Sequence, residues 1–247
     1  MEPLVEHWNG ASWAVVSSPA PGSPSSLHGV MSFGPSDAWA VGTYEDNTLI
    51  EHWDGSGWTV VPSPTLPHQG ALFDVAGASP TDVWAVGDRS ANGERHALVE
   101  HWDGTQWTRV PLPIRGAYDD SLVGVAASSP TNVWAVGSRG NTDSTLALRL
   151  GSGGWSVVPS PTATGRGALG FNDVQIVGPG DVWSVGWKVW GNGTLSAHWD
   201  GSAWSLVPVT GIGALGDLAG IALDRSTGRI WAVGEGNAQN TVIVHRC

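Results

Sequence analysis

Five histidines recur in one setting. His7, His52, His101 and His198 each precede a tryptophan, and His245 aligns with them near the end of the chain. An imidazole can ligate a metal or move a proton, and Glu6, Glu51 and Glu100 stand directly before three of them as potential carboxylate partners. Either chemistry requires the side chains to converge. A residue repeated once per structural unit is carried to a different place in each unit, so these histidines predict hydrogen bonding inside each unit rather than one metal centre. The glutamates read the same way, as repeated surface or inter-unit partners. Asp119 and Asp120 are adjacent, but neighbours on a strand point to opposite faces and define no acid–base pair. HExxH, an Asp-rich calcium loop and a G-x-S-x-G elbow are all missing, and the glycines of "TATGRGALG" lack the strand–loop–helix setting of a phosphate loop. The expectation is no catalytic residue, no metal and no cofactor.

Tryptophan offers a different chemistry, a flat apolar face that stacks on sugar rings or cations. The chain has 16. Five sit in a recurring string: "DAWAVG" at Asp37, "DVWAVG" at Asp82, "NVWAVG" at Asn132, "DVWSVG" at Asp181 and "IWAVG" at Ile230. These rings are Trp39, Trp84, Trp134, Trp183 and Trp231, spaced by 45, 50, 49 and 48 residues. Nine more flank a turn, as in "EHWDGTQW" from Glu100 to Trp107. Trp8, Trp53, Trp102 and Trp199 precede that turn, and Trp13, Trp58, Trp107, Trp155 and Trp204 follow it. Recurrence in every unit is what packing predicts, because an indole buries roughly 150–250 Å² and can fill the gap between two sheets.

The elements that carry these rings are short strands. In the second copy "ALFDVAG" is strand A, "VWAVG" strand B, "ALVEHW" strand C and "WTRVPLP" strand D. Asp103-Gly104 between C and D reads as a type I′ hairpin turn, with positive φ at both central residues. The prolines of "PSP" end strand D, since proline cannot donate to a sheet ladder. Tandem four-stranded antiparallel units of about 40–50 residues predict an all-β fold, a five-bladed β-propeller. The units fall near 26–64, 70–113, 119–161, 167–208 and 215–247, with 3–17 completing the last, in a single domain over 1–247. Closure puts both chain ends in one blade. Leu4–Trp8 and Thr241–Arg246 both read as its strand C, and the N-terminal hairpin is expected to supply strand D. A slice of a longer array is the alternative.

The unit "DVWAVG…EHWDGxxWxxVPSP" resembles tryptophan-rich β-propeller repeats of bacterial proteins across nearly the whole chain. Its "W-D-G-x-x-W" hairpin is also similar to repeats of bacterial seven-bladed fucose-binding lectins, which bind sugars between blades. That resemblance implies inter-blade sugar sites at Trp53, Trp58, Trp102, Trp107, Trp199 and Trp204. The departures are five units instead of seven, the "VPSP" ending, and "RLGSGGW" in the third unit, where Leu150 replaces the first tryptophan. Sialidase-type propellers carry a similar Asp, Gly and Trp turn, but the spacing differs and no arginine cluster can be assigned.

Residues that break the repeat are the other binding candidates. The B–C and D–A segments vary, and variable loops on a rigid scaffold are where binding usually sits. They carry Tyr44, Arg89, Glu94, Tyr118, Asp120 and Arg139, with Trp187, Lys188 and Trp190 in the fourth B–C segment. Trp187 and Trp190 have no counterparts elsewhere, and either stack on a ligand or fold back as a local plug.

Composition narrows the partners. A net charge of −11 argues against nucleic acid, which needs a basic surface. The lone cysteine, Cys247, excludes an intrachain disulfide. No apolar stretch is long enough for a spanning helix, so membrane insertion is not expected, and "MEPLVEHWNG" does not read as a signal peptide. The primary reading is a non-catalytic, carbohydrate-binding propeller, with a protein-interaction module of a bacterial surface or exported protein as the alternative. A hydrolase or lyase over the central channel is third. Glycan or protein is the expected partner, an extracellular or cell-surface setting is favoured, and the chain is read as a monomer, with strand exchange between chains as the alternative.

Overall fold

A computed structural model describes residues 3–19, 21–66, 69–91, 93–114, 119–140, 144–162, 168–189, 193–209, 216–236 and 241–246. Among these the regular structure is all β, in the blades of a five-bladed β-propeller. The chain divides into two compact units, Met1–Pro111 and Leu112–Cys247.

The first unit opens with a hairpin, β1 (Val5–Trp8) and β2 (Trp13–Val16), which is a two-stranded sheet of its own. Blade 1 follows as β3 (Ser25–Gly34), β4 (Asp37–Tyr44), β5 (Asn47–Trp53) and β6 (Trp58–Val60). Blade 2 is β7 (Gly70–Ser79), β8 (Asp82–Ala91), β9 (Glu94–Trp102) and β10 (Trp107–Arg109). Both are antiparallel with strands in chain order, strands A to D of the repeat. Alternation gives each blade two apolar faces. The front of blade 1 sets Trp39, Val41 and Ile50 against the back of blade 2, formed by Leu72, Val75, Val83, Ala85, Leu98 and Trp107. Each fully buried aliphatic side chain contributes roughly 1.5–3 kcal/mol, so the seam is where the stability lies.

The glycine that ends each "WAVG" has a steric cause. Strand A carries a bulge where it meets strand B, between Leu27 and Gly29 in blade 1 and between Leu72 and Asp74 in blade 2. There a Cβ on Gly42 would lie 2.0 Å from the Ser26 carbonyl oxygen, and one on Gly87 1.9 Å from that of Ala71.

In the second unit, blade 3 is β11 (Asp120–Ser129), β12 (Asn132–Arg139), β13 (Ser144–Gly151) and β14 (Gly154–Val157). Blade 4 is β15 (Leu169–Gly178), β16 (Asp181–Lys188), β17 (Gly193–Trp199) and β18 (Trp204–Leu206). Blade 5 has three strands, β19 (Gly216–Asp224), β20 (Arg229–Gly236) and β21 (Thr241–Arg246). Trp134, Val136 and Ala147 of blade 3 pack on Phe171, Val174, Val182 and Leu195 of blade 4, repeating the front-to-back scheme. Val185 of blade 4 meets Leu218 and Ala232 of blade 5. Of the two C-like terminal segments, Thr241–Arg246 holds the C position, paired with β20 from Ile230↔Arg246 to Glu235↔Thr241.

The C–D turns correct one expectation. Trp53 pairs with Trp58, and Trp102 with Trp107, so each loop has four residues between its paired ends rather than two. Only the glycine has positive φ, 95° at Gly55 and 94° at Gly104. The aspartate acts through its side chain instead. Asp103 Oδ1 accepts the N–H of Thr105 (2.8 Å) and of Gln106 (2.9 Å) and the Thr105 hydroxyl (2.6 Å), and so folds the loop as an Asx turn.

Candidate functional site

Three of the recurring histidines are structural clamps within their blades. His52 Nε2 lies 2.9 Å from Asp37 Oδ1, His101 Nε2 2.7 Å from Asp82 Oδ1, and His198 Nε2 2.8 Å from Asp181 Oδ1. Each imidazole also lies on the strand-B indole of its own blade, with ring centroids 4.4, 3.9 and 4.4 Å apart. In blades 2 and 4 the indole N–H donates to the same carboxylate, at 3.1 Å from Trp84 and 2.9 Å from Trp183. Blade 3 replaces the pair with Asn132 and Arg149, and the Arg149 guanidinium sits 5.5 Å from the centre of the Trp134 ring.

The turn tryptophans close the seams. Trp39 of blade 1 meets Trp102 at 5.0 Å and Trp107 at 5.3 Å, the latter edge-on at 79°. Trp134 of blade 3 meets Trp199 at 5.2 Å and Trp204 at 5.4 Å and 89°. The buried indole nitrogens of Trp39, Trp107, Trp134, Trp199 and Trp204 make no hydrogen bond, and the edge-on rings give them aromatic surroundings instead.

Trp53 and Trp58 occupy the same positions on blade 1, 5.8 Å apart, and among the described residues of their own unit no strand-B indole stacks against them. His7 of the hairpin lies 6.5 Å from Trp53 at 27°. Beside the pair is a cavity of about 450 Å³, lined by Leu4, Val5 and Val16 of the hairpin and by Leu27, Val30, Ala38 and Ala40 on the back of blade 1. Its polar wall includes Glu6, His7, His28 and Ser32. His28 is held at both nitrogens. Nδ1 donates to the Leu72 carbonyl at 2.8 Å, so Nε2 accepts from the Ser26 hydroxyl at 3.0 Å. Trp53 Nε1 donates to the Pro35 carbonyl at 3.0 Å, which fixes the ring edge and leaves its face to the pocket.

Two buried carboxyls mark the seams of this unit. Glu51 accepts from the Ser18 hydroxyl at 2.8 and 3.0 Å, and Glu100 accepts from the Ser63 hydroxyl at 3.0 Å. Both glutamates are fully buried. Burial raises the Glu51 carboxyl and pushes Glu100 up to about 7, against the opposing pull of the serine hydroxyls. In the second unit Asp173 accepts the Val174 N–H at 2.7 Å and the Ile221 N–H at 2.8 Å, and burial raises it to about 6. Sequence reading overlooked Ser18 and Asp173; the recurrence of Asp74 and Asp173 before a valine in strand A was the available signal.

The remaining candidates lie at strand ends. In the first unit Tyr44, Arg89 and Glu94 are half-buried at the B–C ends of β4, β8 and β9. In the second, Asp120 is 2% exposed and Arg139 Nε reaches its Oδ1 at 3.2 Å, so this acid is engaged within its own blade. Trp187 and Lys188 are half-buried at the end of β16. The Trp187 ring lies against Gly170, where a Cβ would come within 2.5 Å of it. One face of this indole therefore lies on backbone. Tyr118 and Trp190 lie outside the described residues.

No family model matches the sequence, and no curated protein matches it. Solved structures do. The chain is similar to a fungal lectin from Aleuria aurantia, a six-bladed β-propeller that recognises fucose, at 11% identity and a TM-score of 0.58, covering 95% of this chain and 80% of that one. It is similar to YCF48 bound to D1 peptide at 16% identity and a TM-score of 0.56, covering 90% of this chain and 66% of that one. A Bacteroides thetaiotaomicron protein of unknown function matches at 12% identity and a TM-score of 0.56, over 93% of this chain and 60% of that one. These likenesses show the propeller fold. The chain spans just under two thirds of the YCF48 chain.

Proposed function

We propose that this chain is a non-catalytic ligand-binding propeller whose site is the Trp53–Trp58 pocket on the back of blade 1. The carrying observation is an indole pair with no strand-B indole of its own unit against it among the described residues, where Trp102–Trp107 and Trp199–Trp204 are each closed by one within their unit. A flat apolar group fits such a gap, and ring stacking contributes roughly 0.5–1.5 kcal/mol beyond area burial. The wall chemistry favours polypeptide. Most of the lining is aliphatic, and with His28 held at both nitrogens, Glu6 and His7 are the side chains left to direct a ligand. A strand supplies its own backbone pairing and asks only for apolar pockets at alternate residues.

Carbohydrate is the second reading, favoured by the paired indoles and by the fucose-binding lectin among proteins of similar fold. Parallel peptide and glycan arrays separate the two. Binding to extended peptides rich in aromatic and aliphatic residues is expected, weakened about tenfold or more by Trp58→Ala, in the manner of a hot-spot ring, and unchanged by Arg89→Ala. Glycan-only binding with the same Trp58 dependence selects carbohydrate. Binding indifferent to Trp58→Ala places the ligand elsewhere, with the strand ends bearing Tyr44, Arg89 and Glu94 as the next candidate.

A further inference from the structure

We propose that the pocket on blade 1 binds an extended segment of a partner protein with the pattern Asp-x-Trp-x-Val. The segment adds to β1 as an antiparallel strand and sets its tryptophan between His7 and the Trp53–Trp58 pair. This ligand rests on the polypeptide reading above. The site lies wholly within Met1–Pro111.

Strand C of a complete blade is flanked on both sides. β5 lies between β4 and β6, and β9 lies between β8 and β10. β1 has the same "VEHW" as Val99–Trp102 of β9, but it pairs with β2 alone. The edge left over is a template for one more strand. His7 lacks what its counterparts have. His52 and His101 are held by the strand-B aspartates Asp37 and Asp82, and lie on the strand-B indoles Trp39 and Trp84. Among the described residues His7 has no carboxylate partner, and the ring it faces is Trp53 of the neighbouring sheet.

The register of blade 1 spells the missing strand. Trp39 pairs with His52 and Val41 with Ile50, while Asp37 reaches the His52 imidazole. On β1, His7 stands for His52 and Val5 for Ile50. An added strand in the same register pairs an aromatic residue with His7 and a branched aliphatic one with Val5. An aspartate two residues before the aromatic then reaches the His7 ring, which can protonate to meet it. The three residues alternate along the strand, so they share one face. That face meets the pocket. In the seam between blades 1 and 2, Trp39 and Val41 pack on Leu72, Val75, Val83, Ala85 and Trp107. The corresponding residues of blade 1, Leu27, Val30, Ala38, Ala40 and Trp58, line the cavity. The chain's own copies of the string are engaged: β4, β8, β12, β16 and β20 are each paired on both edges within their sheets. A partner's unpaired segment has the free edge that β1 requires.

Fluorescence anisotropy with labelled peptides on the full chain tests this. The probe is the nonapeptide SDAWAVGTY, the sequence of 36–44, free in solution. Saturable binding at one site per chain is expected, lost with Trp58→Ala in the protein. The Trp39→Ala peptide should bind about tenfold more weakly or worse, as for a hot-spot ring, and the Asp37→Asn peptide severalfold more weakly. His7→Gln in the protein should erase the preference for the Asp peptide over the Asn peptide, a coupling that general loosening of the fold does not produce. N-methylation of one alternating set of peptide nitrogens should abolish binding and that of the other set should leave it intact, because only one edge of the added strand faces β1. Equal binding of the Asp and Asn peptides, or tolerance of both N-methylated sets, overturns the proposal. If other aromatic peptides bind through Trp58 and SDAWAVGTY does not, the pocket reading survives and this inference falls. If neither peptide nor glycan binding depends on Trp58, both fall.

Discussion

The carboxyls whose titration is displaced by their surroundings fall into two groups with opposite pH behaviour. Asp54, Asp103, Asp200 and Asp224 are held down to about 2 by hydroxyl and backbone N–H donors within their turns. Their contribution is present above the ordinary aspartate value and fades as pH falls toward 2. Glu100 and Asp173 are raised by burial, so the folded chain binds more protons than the unfolded one between their ordinary values and about 7 and 6. Stability from these two is complete at low pH and falls as pH rises through that window. Melting followed from pH 4 to 8 should therefore show Tm falling on the alkaline side. Glu100→Gln should flatten that fall and raise Tm near pH 8 by several degrees, given roughly 2–4 °C per kcal/mol for a chain of this size. A wild-type Tm that rises over the same interval would contradict the burial argument. Residue identity alone could not sort these carboxyls. Asp103 and Asp173 are the same amino acid, and only one lies between packed strands.

At the scale of a strand, the repeat was legible because its causes are local. The tryptophan and valine of "WAVG" mark the alternation of a strand buried on both faces, and the structure finds Trp39, Trp84, Trp134 and Trp183 buried. The glycine in that string was not understood from sequence, because its reason is the bulge on the neighbouring strand. The same contact recurs at Gly42, Gly87, Gly137, Gly186 and Gly234, each with a strand-A carbonyl oxygen about 2 Å from where a Cβ would sit. Gly87→Ala must push strands A and B apart. A loss of roughly 1–3 kcal/mol is expected by analogy with overpacked cores, read by chemical denaturation, and Gly57→Ala, with open space around it, is the control that should cost little. The Asp-Gly turn was located correctly but built differently. A carboxylate that accepts two backbone N–H groups makes a four-residue loop with one positive φ, which the dipeptide alone does not distinguish from a two-residue turn.

For the molecule as a whole, stability in a tandem array comes from the seams more than from any one blade. Removal of residues 1–19 takes away the hairpin and the Ser18 donor to Glu51, and uncovers the wall around Trp53 and Trp58. The shortened chain is expected to melt earlier, with red-shifted tryptophan emission. An unchanged Tm would mean that the hairpin contributes nothing to blade 1. Calorimetry of the full chain is expected to show one cooperative transition, the behaviour of a single domain over 1–247. Two separable transitions would assign Met1–Pro111 and Leu112–Cys247 independent stability.

The number of blades, the order of strands within each and the burial of four of the five strand-B rings, Trp231 being half-buried, follow from periodicity, because alternation and turn chemistry act over a few residues and repeat with the sequence. The site does not. Trp53 and Trp58 read the same as Trp102 and Trp107 in the chain, and the imidazoles of His28 and His52 carry no label saying which is walled into a pocket. What distinguishes them is which sheet lies against each face, and that is a property of contacts between residues far apart in sequence, decided only when the blades pack.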